Sequence, residues 1–336
     1  MRRREFLKAL GGVVFLPYLS FGDEVINGAG ASFPAPLYWR WAAEYYKETG
    51  IRVNYQSIGS GGGVRQIINR TVDFGATDAP LKPEEVEKYK LAQFPTVVGG
   101  VAVVYNLPGV KELRLSAKAL CAIFMGKVRY WNDPIIQRDN PGVKLPKRRI
   151  AVVRRSDASG TTWIFTNFLS KACPEWREKV GYGKAVKWPT GIGAKGNEGV
   201  ANYVRRVRGA IGYVEFAYAL QSKLPFALVE NREGNFVPPS VETFKEAARN
   251  ASWEPEKHFY EVLTWQPGEK AYPIAGATFV LLARDPDRQE INRKVVAFFD
   301  WAFRKGDAIA LELHYVPLPQ EVKDKVRAYW KSYGWL

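Results

Sequence analysis

Three short loops rich in glycine and serine each follow a predicted strand and lead into a predicted helix. They are GAGASF at 28–33, SIGSGGG at 57–63 and RRSDASGTT at 154–162. Strands that alternate with helices along a chain form α/β layers around a mostly parallel sheet. Open sheets of this kind bind ligands beyond the carboxyl ends of their strands. The three loops therefore constrain the fold and are also the first candidates for a binding site.

The spacing of apolar residues predicts the other elements. Short β-branched runs predict strands, and apolar residues three or four apart predict helices. The strands are expected at 25–26, 53–56, 73–76, 97–105, 150–153, 210–214 and 278–282. The helices are expected at 37–47, 64–70, 161–169, 200–206, 293–303 and 320–329. Two segments, GGGVRQIINRTVDFGATD and GNEGVANYVRRVRGAIGY, share the order glycine, valine, helix and strand, which either two lobes of similar topology or chance would produce.

The length and charge of the chain limit its class. Its 336 residues exceed what a single hydrophobic core usually holds, so two domains are expected. The formal net charge is +15, and about +12 remains without residues 1–22, which hold four basic residues and one acidic residue. A basic surface concentrates anions. Because the basic residues are scattered, we expect a solvated surface and no nucleic-acid partner.

The first 22 residues are typical of a cleaved signal peptide. The basic start MRRREFLK precedes an apolar run at 9–19 and the small-x-small end Ser20-Phe21-Gly22. The stretch RREFLK resembles the twin-arginine export signal, and an ordinary Sec signal is the alternative. We expect cleavage after Gly22 and a mature chain that is soluble in the periplasm, since no later segment holds eighteen consecutive apolar residues.

The chain has two cysteines, Cys121 and Cys173. An oxidising periplasm permits a disulfide between them. Their separation in sequence does not show whether the two sulfur atoms are near each other. Because unpaired cysteines are often buried in protein cores, the favoured interpretation is a pair of free thiols.

The three glycine-rich loops favour an anion-binding site. The start of a helix has free backbone N–H groups and the positive end of the helix dipole. The hydroxyls of Ser32, Ser60, Ser159 and Thr161 add hydrogen-bond donors. For any one loop a simple helix cap is the alternative explanation. Three such loops in one chain make the anion site the stronger interpretation.

Two charged residues accompany these loops. Arg155 offers a planar fork that suits two oxygens of an oxyanion, and a salt bridge with Asp157 is the alternative. Asp78 follows a predicted strand, where α/β proteins place ligand groups, and a turn or cap role is the alternative. A carboxylate beside a bound anion makes sense only when the anion carries a proton.

The chain resembles the phosphate-binding proteins of bacterial phosphate-specific ABC transporters, the PstS family. The matching segments extend from residue 28 to residue 303 and cover most of the mature chain. They are GAGASFPAP, NYQSIGSGGGVRQIINRTVDFGATDAPL, QFPTVVGGVAV, IAVVRRSDASGTT, VKWPTGIGAKGNEGVA, GAIGYVE and FFDWAF. This resemblance implies an α/β fold of the two-lobed periplasmic binding protein type II, with two hinge crossovers. Lobe I is expected at 23–104 and 276–336, and lobe II at 105–275.

The resemblance also implies a set of phosphate ligands from both lobes. Lobe I would contribute Ser32, the backbone N–H of Phe33, Ser60 and Asp78. Lobe II would contribute Arg155, Ser159, the backbone N–H of Gly160, and Thr161. Asp157 would support Arg155 without contacting the phosphate. Ser32 replaces a threonine that is frequent in the family and keeps the hydroxyl. Ala158 replaces a frequent glycine and supplies no side-chain ligand in either case.

The resemblance implies a substrate-binding protein that captures inorganic phosphate in the cleft and delivers it to the permease and ATPase subunits of an ABC importer. We expect a monomer with no catalytic residue, no cofactor and no metal. A hydrolase using Ser159 or Thr161 would need a base, and the two histidines, His258 and His314, lie far away in sequence. The motif GxGxxG at 191–196 follows no clear strand and is a weak signal for dinucleotides. A binding protein for sulfate, molybdate or tungstate is the main alternative.

Overall fold

The computed structural model describes residues 24–336. The predicted signal peptide at 1–22 lies outside the described residues. In the described part of the chain, no helix is both long enough and apolar enough to cross a lipid bilayer.

A mixed sheet of eight strands runs through the molecule in the order β2-β1-β3-β11-β4-β8-β6-β7, and a small sheet has the order β10-β9-β5. The strands are β1 (Val25–Gly30), β2 (Arg52–Ser57), β3 (Phe74–Thr77), β4 (Leu91–Tyr105), β5 (Arg114–Leu115), β6 (Ala151–Arg155), β7 (Ile192–Ala194), β8 (Ala210–Glu215), β9 (Leu228–Glu230), β10 (Phe236–Val237) and β11 (Ala275–Ala283). Each strand predicted from sequence has a counterpart among them.

The helices cover both faces of this sheet. They are α1 (Ala35–Thr49), α2 (Ser60–Ile68), α3 (Pro83–Lys88), α4 (Ala117–Phe124), α5 (Pro134–Asp139), α6 (Gly160–Ala172), α7 (Pro174–Lys179), α8 (Gly196–Arg206), α9 (Phe216–Gln221), α10 (Val241–Ala248), α11 (Gln289–Lys305), α12 (Asp307–Glu312) and α13 (Gln320–Ser332). Two short 3₁₀ helices lie at Pro255–Lys257 and Pro286–Arg288.

The two ends of the large sheet repeat one topology. In the first half β1 pairs in parallel with both β2 and β3, and α1 and α2 connect these strands. In the second half β6 pairs in parallel with both β7 and β8, with α6, α7 and α8 in the connections. We call the part around β1, β2, β3 and β11 the first lobe and the part around β6, β7 and β8 the second lobe. The similarity of the two sequence segments thus reflects related topology.

Strand β4 joins the two lobes. Its first part, up to Gly100, pairs antiparallel with β11, and its last part, from Val101, pairs antiparallel with β8. The change of partner between Gly100 and Val101 marks where the chain passes from one lobe to the other. Strand β11 starts at Ala275 and returns the chain to the first lobe, where it also pairs with β3. The observed architecture is the predicted two-lobed α/β fold.

Glycines at the start of α2 allow that helix to lie directly on the sheet. A Cβ atom on Gly63 would come within 2.5 Å of the Gly30 Cα atom and 2.9 Å of the Ala76 carbonyl oxygen. The segment GSGGG was predicted as a loop before a helix that starts at residue 64, but α2 begins at Ser60. The low helix propensity of glycine is overridden here because only glycine permits this close packing.

The two cysteines form a disulfide, so the prediction of free thiols is wrong. Cys121 lies in α4 and Cys173 follows α6, and their Cα atoms are 6.4 Å apart. This distance is within the range that a disulfide requires. The packing of α4 against α6, which joins the two residues across 52 positions of sequence, could not be read from their spacing. Closing a loop of that length lowers the conformational entropy of the unfolded chain and so stabilises the folded state by about 4 kcal/mol.

Candidate functional site

Four helix starts converge between the lobes. Helices α1 and α2 begin just after β1 and β2 of the first lobe, and α6 and α8 begin just after β6 and β7 of the second lobe. The first turn of α2 contacts the residue before the N-cap of α6, because the Gly61 N–H donates to the Ala158 carbonyl oxygen at 3.0 Å. The lobes are therefore in contact around a buried centre at which positive helix ends accumulate.

Asp78 is the acidic group of this centre. Its side chain is buried, with only 2% of the residue exposed. The Thr278 hydroxyl donates to Oδ1 at 2.7 Å, and the Ser60 hydroxyl lies 3.5 Å from Oδ2. Burial raises the pKa of Asp78 to about 7, although the hydrogen bond from Thr278 and the charge of Arg155 oppose this shift. Asp78 thus changes protonation near neutral pH.

Gly160 brings the start of α6 onto Asp78. A Cβ atom at residue 160 would lie 2.5 Å from the Asp78 Oδ2 atom and 2.3 Å from the Ser60 Oγ atom. No side chain fits there without displacing a buried group from the opposite lobe. Ser60, Asp78 and Gly160 were predicted to share a site across the cleft, and the structure brings these three residues together.

Arg155 is the basic group of the centre and is 3% exposed. Its Nε and Nη2 atoms donate to the two carboxylate oxygens of Asp157 at 2.7 and 2.6 Å. Within residues 24–336, its buried Nη1 atom has no hydrogen-bond partner. The guanidinium is therefore fixed by Asp157 on one edge and keeps a buried donor on the other. The salt bridge with Asp157 does not exclude a ligand role for Arg155.

Asp78 and Asp157 have opposite pKa shifts. Burial alone would raise the pKa of Asp157, but the hydrogen bonds and charge of Arg155 outweigh this effect and hold it below its usual value. Burial would lower the pKa of Arg155, and Asp157 raises it above its usual value. Asp157 is thus ionised and offsets Arg155, whereas no cationic side chain in the described part of the chain forms an ion pair with Asp78.

The hydroxyls of Ser32, Ser159 and Thr161 are buried at the same centre. The Ser159 oxygen accepts from the Thr162 N–H at 3.0 Å, so Ser159 is the N-cap of α6, as the simpler explanation held. That bond uses the oxygen of Ser159 as an acceptor and leaves its hydrogen for donation elsewhere. Ser32 and Thr161 both contact Asn197, a residue that sequence reasoning missed.

Three tyrosines fix the backbone of the first loop. Tyr55, Tyr218 and Tyr315 each donate a hydroxyl hydrogen, at 2.6 Å, to a carbonyl oxygen in this loop. The acceptors are the consecutive carbonyl groups of residues 31, 32 and 33 in that order. Because these carbonyl groups are bound by side chains from outside, the loop is rigid and its N–H groups are not used by those tyrosines. Tyr55 lies in the strand predicted at 53–56, whereas no periodicity or motif of the sequence indicates that Tyr218 or Tyr315 contacts this loop.

Asn197 could have been found from the two similar sequence segments. When Gly63-Val64 is aligned with Gly199-Val200, Asn197 falls opposite Gly61, in the first turn of the corresponding helix. The motif GxGxxG at 191–196 contains β7 and ends at the start of α8. The motif therefore includes a short strand and ends where a helix of the second lobe begins.

The histidines do not belong to this centre. His258 is buried, and its ring nitrogens contact the Tyr329 hydroxyl and the Glu87 carboxylate. His314 packs its ring edge-on against Phe216. His258 therefore has polar partners outside this centre, and His314 has a packing contact. Neither ring has a contact with Ser159 or Thr161.

The fold and the buried site between its lobes define a binding protein of the PBP superfamily, whose domain model matches residues 20–305. The phosphate-binding protein PstS of Pasteurella multocida (strain Pm70) is 52% identical over 334 residues, which cover 99% of this chain and 96% of that protein. That of Haemophilus influenzae (strain ATCC 51907 / DSM 11121 / KW20 / Rd) is 52% identical over 309 residues, 91% of this chain and 92% of that protein. The chain belongs to the PstS family of phosphate-binding proteins.

The family extends to distant relatives and known folds. The phosphate-binding protein PstS of Methanocaldococcus jannaschii (strain ATCC 43067 / DSM 2661 / JAL-1 / JCM 10045 / NBRC 100440) is 38% identical over 324 residues, which cover 89% of this chain and 83% of that protein. The phosphate-bound periplasmic phosphate-binding protein PfluDING has a TM-score of 0.73 at 24% identity, over 90% of this chain and 93% of that chain. These findings confirm the predicted family, the predicted fold and the prediction of a binding protein instead of an enzyme.

Proposed function

We propose that this chain captures inorganic phosphate between its lobes and delivers it to an ABC importer. One observation carries the proposal: a buried carboxyl group with a pKa near 7 shares the centre with a buried guanidinium that has an unused donor. A dianion that still carries one proton suits both groups at once. The names of the family relatives, all phosphate-binding proteins, support this ligand.

The proposed ligands are those expected from the family resemblance. In the first lobe they are Ser32, the Phe33 N–H, Ser60 and Asp78, and in the second lobe they are Arg155, Ser159, the Gly160 N–H and Thr161. Each of the side chains is buried in the described structure. Charge-assisted hydrogen bonds contribute roughly 1.5–3 kcal/mol each, so several together offset the dehydration of the anion. Micromolar or tighter binding follows from that sum.

Asp78 provides the selectivity in this proposal. Above pH 7 its carboxylate accepts the hydrogen bond of the phosphate proton. Sulfate has no proton at that pH, so its oxygen would face the carboxylate with no hydrogen between them. A buried polar group that is left unpaired disfavours a close analogue, and sulfate avoids this contact only in molecules whose Asp78 is protonated, which are the minority above pH 7. The same reasoning argues against molybdate and tungstate as the natural ligands and predicts that arsenate competes.

The proposed cellular role combines several further expectations. The signal peptide at 1–22 would direct a monomer to the periplasm, and the basic mature chain would attract anions there. The lobes would comprise 23–104 with 276–336, and 105–275, and the change of partner along β4 near Gly100 supports a crossover in that region. The permease and ATPase subunits of the importer would receive phosphate from the closed molecule.

Isothermal titration calorimetry of the phosphate-free protein tests the proposal. The protein is unfolded in denaturant, dialysed against phosphate-free buffer, refolded and titrated with phosphate, arsenate and sulfate at pH 8. We expect phosphate to bind with micromolar or tighter affinity, arsenate to compete, and sulfate to bind at least about 10-fold more weakly, since only about a tenth of the protein has a protonated Asp78 at that pH. Equal affinities for phosphate and sulfate, or no phosphate binding by the folded protein, would contradict it.

A further inference from the structure

Asn197 links the two lobes at the proposed site. It lies in the first turn of α8 in the second lobe and is fully buried. Its Nδ2 atom is 2.7 Å from the Ser32 Oγ atom of the first lobe and 3.0 Å from the Thr161 Oγ1 atom of the second lobe. Its backbone N–H lies 3.2 Å from the same Ser32 oxygen. One amide thus contacts a hydroxyl from each lobe.

The orientation of the Asn197 amide is set by a third contact. The Glu215 N–H donates to the Oδ1 atom of Asn197 at 2.8 Å. Because a backbone N–H requires an acceptor, the oxygen must face Glu215 and the NH₂ group must face Ser32 and Thr161. Both hydrogens of Nδ2 are then donated, one to each hydroxyl oxygen.

This arrangement determines what the two hydroxyls can do. A hydroxyl has one hydrogen to donate and two lone pairs that accept. The Ser32 oxygen accepts from both the side chain and the backbone of Asn197, and the Thr161 oxygen accepts from the side chain. Neither hydroxyl can donate to the NH₂ group, which has no acceptor. Their hydrogens are therefore directed away from Asn197.

We propose that Asn197 is a positioning residue that makes Ser32 and Thr161 act as hydrogen-bond donors to the bound oxyanion. This inference rests on the proposed function. Asn197 does not itself need to contact the anion. It donates hydrogen bonds to the oxygen atoms of both hydroxyls. Because it bridges Ser32 and Thr161, it also holds the two hydroxyls next to each other when the lobes meet.

Two substitutions of Asn197 separate this role from simple packing. Asn197→Ala removes the orienting donors, and we expect phosphate affinity to fall about 10- to 100-fold. Asn197→Asp is nearly isosteric and keeps the acceptor for the Glu215 N–H, but its carboxylate attracts the hydrogens of both hydroxyls. We expect Asn197→Asp to weaken phosphate binding more than Asn197→Ala. Calorimetry with inorganic phosphate at pH 8 measures both.

A matched control is available in the same lobe. Asn167 lies in α6, is buried, and accepts a hydrogen bond from the Thr264 hydroxyl. Asn167→Asp also replaces a buried amide by a carboxylate and keeps that acceptor. We expect this variant to retain parental phosphate affinity, because Asn167 contacts neither Ser32 nor Thr161.

A thermodynamic cycle distinguishes the mechanism from a general loss of structure. In a Ser32→Ala/Thr161→Val background, no hydroxyl remains to be oriented, so adding Asn197→Ala should weaken phosphate binding less than about 3-fold further. An equal loss from Asn197→Ala in both backgrounds would overturn the inference, as would parental affinity of Asn197→Ala. Failure of the parent protein to bind phosphate would instead refute the proposed function. Circular dichroism and thermal unfolding establish that each variant is folded.

Discussion

The two lobes contribute opposite electrostatic groups to the site between them. The second lobe supplies a cation, and the Arg155 guanidinium is already paired with Asp157 on one edge. The first lobe supplies Asp78, which is buried beside neutral hydroxyls of Ser60 and Thr278. In the proposed function, attraction and selection are therefore divided between the lobes: the second lobe binds the negative charge of the anion, and the first lobe distinguishes anions that carry a proton.

An aspartate in each lobe has a shifted pKa, and the two shifts have opposite directions. Asp157 has a pKa below its usual value despite partial burial, because it contacts Arg155. Asp78 has a pKa raised to about 7 by burial, which its hydrogen bonds and the more distant Arg155 only partly offset. The two environments therefore shift the two aspartates in opposite directions, and in the proposed function Asp157 balances charge while Asp78 recognises the proton of the anion.

The largest effect is expected from removing the cation of the second lobe. Arg155→Gln keeps a polar side chain but loses the charge and the buried Nη1 donor. Because charge-assisted hydrogen bonds contribute roughly 1.5–3 kcal/mol each, we expect phosphate affinity to fall about 100- to 1,000-fold. Any residual sulfate binding should fall by a similar factor, so the ratio of the two affinities should change little. Calorimetry at pH 8 measures both.

The neighbouring residue gives the control for that experiment. Arg154 is half-buried at the end of β6, and Arg154→Gln removes the same charge from the chain. We expect less than about a 3-fold change in phosphate affinity from this variant. If Arg154→Gln weakened binding as much as Arg155→Gln, general attraction by the basic surface would explain the result, and the role assigned to Arg155 would be wrong.

A different pattern is expected from the first lobe. Asp78→Asn gives a side chain that can donate a hydrogen bond to any oxyanion. We expect the ratio of phosphate to sulfate affinity to fall about 10-fold at pH 8, mainly because sulfate no longer requires the protonated tenth of the protein. Competition between the two anions, followed by calorimetry, measures this ratio. An unchanged ratio would show that the two lobes do not divide attraction and selection.

The raised pKa of Asp78 also predicts a pH-dependent stability of the ligand-free protein. The folded-state pKa of about 7 lies above the ordinary value of 3.8, so the folded state binds this proton more tightly than the unfolded state. The contribution of Asp78 to the free energy of unfolding is fully present below pH 3.8 and is lost as the pH rises towards 7. The loss amounts to at most about 4 kcal/mol. Thermal unfolding in phosphate-free buffer should show Asp78→Asn gaining stability over the parent between pH 5 and pH 8.

The smallest effect on affinity is expected from Asp157→Asn. The amide oxygen still accepts one hydrogen bond from Arg155, and the loss of a negative charge favours anion binding while the looser guanidinium opposes it. We expect less than about a 5-fold change in phosphate affinity. The free energy of unfolding should fall by roughly 2 kcal/mol, because one charge-assisted hydrogen bond to a buried guanidinium is removed. A large loss of affinity with unchanged stability would assign Asp157 to phosphate itself.

Much of the fold could be predicted because its signals are local. Apolar spacing predicted strands at 25–26 and 210–214 and a helix at 320–329, which correspond to β1, β8 and α13, although β1 continues to Gly30 into the segment predicted as a loop. The glycine-rich loops indicated the helix starts. Asp78 and Arg155 were predicted as site residues because they lie in motifs that resemble those of the family. The opposite pKa shifts of Asp78 and Asp157 follow from burial and from the contact of Asp157 with Arg155, which no sequence pattern contains.

Other features depend on contacts between distant segments. Tyr218 and Tyr315 bind the first loop from positions 186 and 282 residues away, and nothing near them in sequence indicates this role. The disulfide was predicted wrongly for the same reason, since it depends on how α4 packs against α6. The helical start of α2 was missed because glycine disfavours helices until tertiary packing requires it.

The most direct test of the account is the pH dependence of sulfate affinity. If sulfate binds only when Asp78 is protonated, its apparent affinity follows the protonated fraction of a group with a pKa of about 7. Calorimetry should then show sulfate binding about 10-fold more tightly at pH 5.5 than at pH 8, with no such change in Asp78→Asn. Sulfate affinity that is independent of pH in the parent, or that rises equally in Asp78→Asn, would contradict the central claim that Asp78 selects a protonated anion.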